Sequence, residues 1–187
     1  AVVRGSTRAL VVVDMPFGTY EESPEIAFRN AARVTKETGC SAVKLEGGAP
    51  VVETVRFLTA HGIPVCAHLG FTPLSVHQFG GYRVQGRENA AAQQLVHDAL
   101  ALEAAGASLL VLEMVPAALA QRVTGELGIP TIGIGAGADC DGQVLVLHDV
   151  LGLFDRFTPK FVKKYADLKE LALKAVKEYR QDVESGK

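Results

Sequence analysis

The chain has 187 residues, 48% of them hydrophobic, a formal net charge of -2 and a pI near 6.2. That length and apolar content suit one domain with a sizeable core, and the lack of any Lys/Arg run argues against a nucleic-acid surface or a basic membrane patch. Apolar runs are broken by charge too soon for a transmembrane span, the N-terminus lacks a signal-peptide pattern, and Cys40, Cys66 and Cys140 show no close pairing, so the expected setting is a reducing cytoplasm without a disulfide framework or structural zinc.

In chain order, β-rich runs fall near Leu10 to Val13, Ala42 to Glu46, Pro64 to His68, Leu109 to Glu113, Thr131 to Ile134 and Val144 to Leu147. Helical patterns lie between them near Pro24 to Thr38, Ala49 to Ala60, Asn89 to Ala105 and Pro116 to Leu127. Alternating β and α at this spacing predicts right-handed crossovers and a parallel sheet. Two internal echoes agree with it: GIPVCAHLG at Gly62 with GIPTIGIGA at Gly128, and GCSAVKLE at Gly39 with GASLLVLE at Gly106.

Four of these strands are expected to finish on a polar group, namely Asp14, Glu46, His68 and Glu113. The C-terminal rim of a parallel α/β sheet, above all of a (β/α)8 barrel, is where chemistry is placed. Any one of these acids could instead cap the turn that follows it. Lys44 and Glu46 are two residues apart on one strand, so they share a face about 6.6 Å apart along the chain. Burying Lys44 unpaired would cost on the order of several kcal/mol. The pair is therefore read as pointing into a charged pocket, with mutual neutralisation in a core as the structural alternative.

Asp14 and Glu46 are hard oxygen ligands, able with waters and a chelating substrate to hold Mg²⁺. Such an ion polarises a carbonyl and stabilises a developing enolate. Glu113 faces the same cavity and is placed to act as general base on a carbon acid. His68 is read as a substrate-orienting group, a proton carrier or a hydrogen-bonded core residue. His61, His77, His97 and His148 share no spacing and are read as surface or packing residues. GIGAGA at Gly133 imitates a dinucleotide fingerprint, but another β run follows where a helix should open, so its glycines are assigned to close backbone approach to a ligand or to tight barrel packing. The long segment from Phe71 to Arg87 follows a rim strand and suits a binding loop, with Arg83 and Arg87 available to an anion.

Taken in order, DMPFGTY, VKLEGG, PVCAHLGFTP, GGYRVQGR, LEMVP, IGIGAG and DGQVLVLHD make the chain resemble the ketopantoate hydroxymethyltransferase family over nearly its whole length. The resemblance implies an α/β fold of the (β/α)8 TIM-barrel type, a single catalytic domain over residues 1–187 from which the family's first two βα units, with their GDS motif, are absent. It implies transfer of a hydroxymethyl group from 5,10-methylenetetrahydrofolate, the cosubstrate, to 3-methyl-2-oxobutanoate, giving 2-dehydropantoate on the route to pantothenate and coenzyme A. Mg²⁺ and a cytoplasmic homo-oligomer, a decamer in the family, are implied with it. Carried onto this sequence, Asp14 and Glu46 hold the metal, and Asp14, Lys44 and His68 meet the oxo acid. Glu113 accepts the proton. The family's TPQSVN reads TPLSVH here, so Leu74 and His77 are points of departure.

Two other functions compete: a Mg²⁺-dependent 2-oxo-acid lyase or mutase of the isocitrate lyase and phosphoenolpyruvate mutase type, and a non-catalytic assembly fragment. The expected strand set falls short of the eight that close a barrel, which predicts unpaired edges near Leu10 and Val144 and a native protein longer at its N-terminus.

Overall fold

In the computed structural model, which describes residues 1–154 and 157–187, the chain begins with α1 (Val2–Gly5), β1 (Val12–Asp14), α2 (Pro24–Thr38) and β2 (Ala42–Glu46). A 3-10 turn at Ala49–Val51 leads into α3 (Val52–Ala60), followed by β3 (Val65–Gly70), α4 (Asn89–Ala104) and β4 (Leu109–Glu113). Then come α5 (Ala117–Glu126), β5 (Thr131–Ile134), β6 (Gly142–Gln143), α6 (Leu147–Val150) and α7 (Leu168–Glu184). Residues Ala1–Gln143 form one compact unit and Val144–Lys187 a second.

The first unit holds a parallel sheet in the order β1-β2-β3-β4-β5-β6, each strand paired with the one before it in sequence. Right-handed crossovers in a monotonic order leave every connecting helix on the same face, and α2 indeed packs on α3, α3 on α4 and α4 on α5. The helix-facing side chains Val43, Leu45, Val65, Ala67, Leu69, Leu110 and Leu112 join Ala27, Ala31, Val55, Leu58, Ala99, Leu102 and Val123 in one buried core. Burying one Leu or Val contributes roughly 1.5–3 kcal/mol, so this face carries the stability. The opposite face, offset by one residue along each strand, is free to hold polar groups.

A parallel sheet layered by helices on one side only, with this strand order, is a curled half-barrel wall. Its edges are β1 and β6, as expected of an unclosed set. Local signals set the helix ends: Ser23 Oγ accepts from the Ile26 N–H at 3.3 Å, Pro24 opens α2, and Gly39 closes it at φ 72°.

Two expectations need correction. The last strand is Gly142–Gln143 and not Val144–Leu147: Ile132 and Gly133 pair with Gly142 and Gln143, Val144 and Val146 stay exposed, and Leu147 begins a helix. The third strand does not end at His68 but runs on to Gly70, because Leu69 and Gly70 still pair with Leu112 and Glu113. In the second unit, α7 carries Leu168, Leu171, Val176, Tyr179 and Val183, all exposed. Among the described residues no helix is long and apolar enough to cross a membrane. All three cysteines are free thiols.

Candidate active site

Parallel register turns the sequence spacing into a cluster. Asp14 stands beside Lys44, Glu46 beside His68, and Glu113 beside Gly70, on four successive strands. Lys44 Nζ lies 2.5 Å from Asp14 Oδ1, 3.2 Å from His68 Nδ1 and 3.8 Å from Glu46 Oε1. His68 Nδ1 is 3.5 Å from Glu46 Oε1, and its Nε2 is 3.3 Å from Glu113 Oε2. The five groups expected from sequence therefore form one continuous chain of charge. Lys44 is not neutralised by Glu46 alone, because its closest partner is Asp14.

Burial grades across the cluster. The Asp14 side chain is 71% exposed, whereas those of Lys44, Glu46, Glu113 and His68 are 16%, 10%, 16% and 2% exposed. The ammonium can only donate, so His68 Nδ1 accepts from it and the neutral ring carries its proton on Nε2. That nitrogen faces Glu113 but lies out of line for a hydrogen bond, leaving a buried polar atom without a bonded partner. Burial disfavours the His68 imidazolium, yet the Glu113 and Glu46 carboxylates outweigh both burial and Lys44, and its pKa is raised above the ordinary value. For Glu46, burial raises the pKa, but His68, the Leu74 N–H and Lys44 together hold it below the usual carboxylate value.

Three backbone devices, invisible in the strand pattern, hold the carboxylates. The Leu74 N–H donates to Glu46 Oε2 at 2.9 Å, so the loop after β3 is fastened to the cluster by an amide that does not depend on the side chain at this point of departure. The Tyr20 hydroxyl bonds the backbone of Glu46, and burial pushes its pKa up to about 12. At β4 the Glu113 carbonyl accepts the Phe71 N–H at 2.8 Å, the Met114 N–H reaches the Ile134 carbonyl at 2.9 Å, and the Met114 carbonyl accepts the Gln85 N–H at 2.9 Å. Met114 adopts φ 48°, the one non-glycine residue with positive φ among those described, and this bend follows directly on Glu113.

Both ends of the long loop are thus tied to Glu113 and its neighbour. Inside it Phe71 stacks at 5.9 Å from Phe79 and 5.0 Å from Tyr82, while Arg83 and Arg87 are exposed. His61, His77, His97 and His148 are exposed and outside the cluster. Two glycines of GIGAGA serve close packing: a Cβ on Gly133 would crowd Cys140 and Gln143, and one on Gly137 would meet Ala117. Tyr20 and Gly70 were legible only as members of motifs, since their contacts join distant parts of the chain.

Among the described residues no three His, Cys, Asp or Glu side chains converge into a ready-made metal cage. Asp14 and Glu46, both within 4 Å of the Lys44 ammonium, are two carboxylate oxygen donors of the kind a hard ion takes, with its remaining ligands from water and substrate.

Fold and cluster together define an α/β protein built on a curled, open parallel sheet, a half-barrel, with a charged cluster at the carboxyl ends of its strands. The chain belongs to the ketopantoate hydroxymethyltransferase family, whose model matches residues 1–187. It is 60% identical over 183 residues to the 3-methyl-2-oxobutanoate hydroxymethyltransferase of Paracoccus denitrificans (strain Pd 1222), covering 98% of this chain and 66% of that protein. Proteins of the same name from Syntrophus aciditrophicus (strain SB) and Chelativorans sp. (strain BNC1) are 58% and 61% identical, over 100% and 98% of this chain and 68% and 65% of their own lengths. The chain spans about two thirds of the length of the curated relatives it matches.

Proposed function

We propose that the protein of which these residues are part transfers a hydroxymethyl group from 5,10-methylenetetrahydrofolate to 3-methyl-2-oxobutanoate, forming 2-dehydropantoate for pantothenate and coenzyme A synthesis. The observation that carries this reading is the unbroken run from Asp14 through Lys44, Glu46 and His68 to Glu113. Such a run offers a cation site at one end and a carboxylate base at the other. Family membership supplies the substrate class.

Asp14 and Glu46 would hold Mg²⁺, which when bound polarises the oxo acid and lowers the cost of enolate charge. Lys44 and His68 lie where they can meet the substrate carboxylate and carbonyl oxygens. Glu113 takes the proton from C3 as the C–H bond breaks, and the electron pair freed there forms the new C–C bond to the one-carbon unit, whose C–N bonds to the folate break to release tetrahydrofolate while water supplies the hydroxyl oxygen. The same family reading gives a cytoplasmic homo-oligomer, a decamer.

The test is folate-dependent product formation by the whole protein with Mg²⁺, alongside proton exchange at C3 of the oxo acid. Product formed equally well without methylenetetrahydrofolate would overturn this reading in favour of a lyase or mutase.

A further inference from the structure

Tyr20 is not part of the charged chain, yet its hydroxyl makes both of its bonds to one member of it. It accepts from the Glu46 N–H at 3.1 Å and donates to the Glu46 carbonyl at 3.4 Å, and the residue is 2% exposed.

The reason lies in how β1 ends. Residues alternate their backbone groups between the two neighbours of a parallel strand, and Lys44 and Glu46 both turn theirs toward β1 while Gly47 bonds His68 on the other side. β1 stops at Asp14, the ladder partner of Lys44, and the Met15 N–H makes a last bond to the Lys44 carbonyl at 3.0 Å. In register, the Met15 carbonyl and the Phe17 N–H would come next, but the chain turns away through Pro16–Thr19, closed by the Thr19 N–H on the Pro16 carbonyl at 3.2 Å. Glu46 would be left with an unpaired amide and carbonyl. The same turn delivers Tyr20 to that place, steadied by Asn30 Nδ2 on the Thr19 carbonyl at 2.7 Å.

We infer that Tyr20 is a positioning residue for Glu46: its hydroxyl stands in for the next residue of β1 and fixes the backbone from which the Glu46 carboxylate is aimed at a divalent ion. This rests on the assignment of Glu46 to that ion. The carboxylate end is held independently by the Leu74 N–H, so the two fastenings act on opposite ends of one residue. Partners that orient a metal ligand typically matter by about ten- to a hundredfold in affinity.

Three variants of the whole protein decide it. Tyr20→Phe keeps the ring and deletes the hydroxyl. It should weaken Mg²⁺ binding, measured by calorimetry without substrates, by about tenfold, and should speed hydrogen exchange at the Glu46 amide. Thr124→Val removes a hydroxyl contact to Thr131 and serves as a control for general destabilisation; its Mg²⁺ affinity should match the parent. Parental Mg²⁺ affinity in Tyr20→Phe, while Glu46→Gln loses binding, would overturn the positioning role alone. Parental affinity in Glu46→Gln would instead overturn the ion assignment on which it rests.

Discussion

Glu113 Oε2 stands 3.3 Å from His68 Nε2, beside the ring yet out of line for a hydrogen bond with it. A carboxylate without a bonded proton donor retains lone pairs for a carbon acid. Replacing Glu113 by Gln should therefore leave Mg²⁺ and oxo-acid binding intact and slow C3 proton exchange by about a hundredfold to ten-thousandfold. Exchange at the parental rate, followed by NMR in deuterated buffer, would remove Glu113 from the chemistry.

Asp14 is the open end of the cluster, ion-paired to Lys44 while most of its side chain meets solvent. Asp14→Asn exchanges an anionic oxygen for a neutral amide, which a hard cation binds less well. Weaker Mg²⁺ binding with an unchanged circular dichroism spectrum is the expected outcome, and equal affinity would reduce Asp14 to a partner for Lys44.

Gly70 closes β3 at φ +93°, and a Cβ there would run into the Glu113 carbonyl oxygen. Gly70→Ala should destabilise the fold by about 2–4 kcal/mol, since both the backbone conformation and the close approach are violated. Denaturant midpoints within error of the parent would show that the strand end can yield.

Asp141 fastens the start of β5: Oδ2 accepts the Thr131 N–H at 2.8 Å and the Thr131 hydroxyl at 3.1 Å. Those two bonds hold its pKa below the ordinary 3.8. A lowered folded-state pKa means stabilisation that is full above 3.8 and is lost as pH falls through the folded value. Asp141→Asn should lower the melting temperature at neutral pH, with the gap to the parent narrowing in acid. A gap that does not change with pH would show that the negative charge contributes nothing.

Period-two strand patterns make the charged cluster legible in the sequence, because register in a parallel sheet depends on the same alternation that buries Val43 and Leu45. Asp14, Lys44, Glu46, His68 and Glu113 could all be placed on one face in this way. The last strand was misplaced because Val144 and Val146 look like a ladder segment, while the pairing residues Gly142 and Gln143 carry no strand signal at all. Helix α7 went unassigned although Leu168, Leu171, Val176, Tyr179 and Val183 recur at helical spacing. Tyr20, Leu74 and Met114 lay beyond reach for a different cause: what they do depends on backbone groups of residues far off in sequence, and no residue type announces that.

Because every strand pairs with its predecessor, the sheet can grow in the order in which a ribosome makes it. Asp14, Lys44, Glu46, His68 and Glu113 come from β1 to β4, so all five are in hand before β5 emerges. During synthesis domains fold as units, N-terminal ones first, and the core of this one includes Leu119, Ala120 and Val123 of α5. A translational pause placed after α5 is therefore the earliest at which the chain holds both the whole charged cluster and the helices that cover β1 to β4.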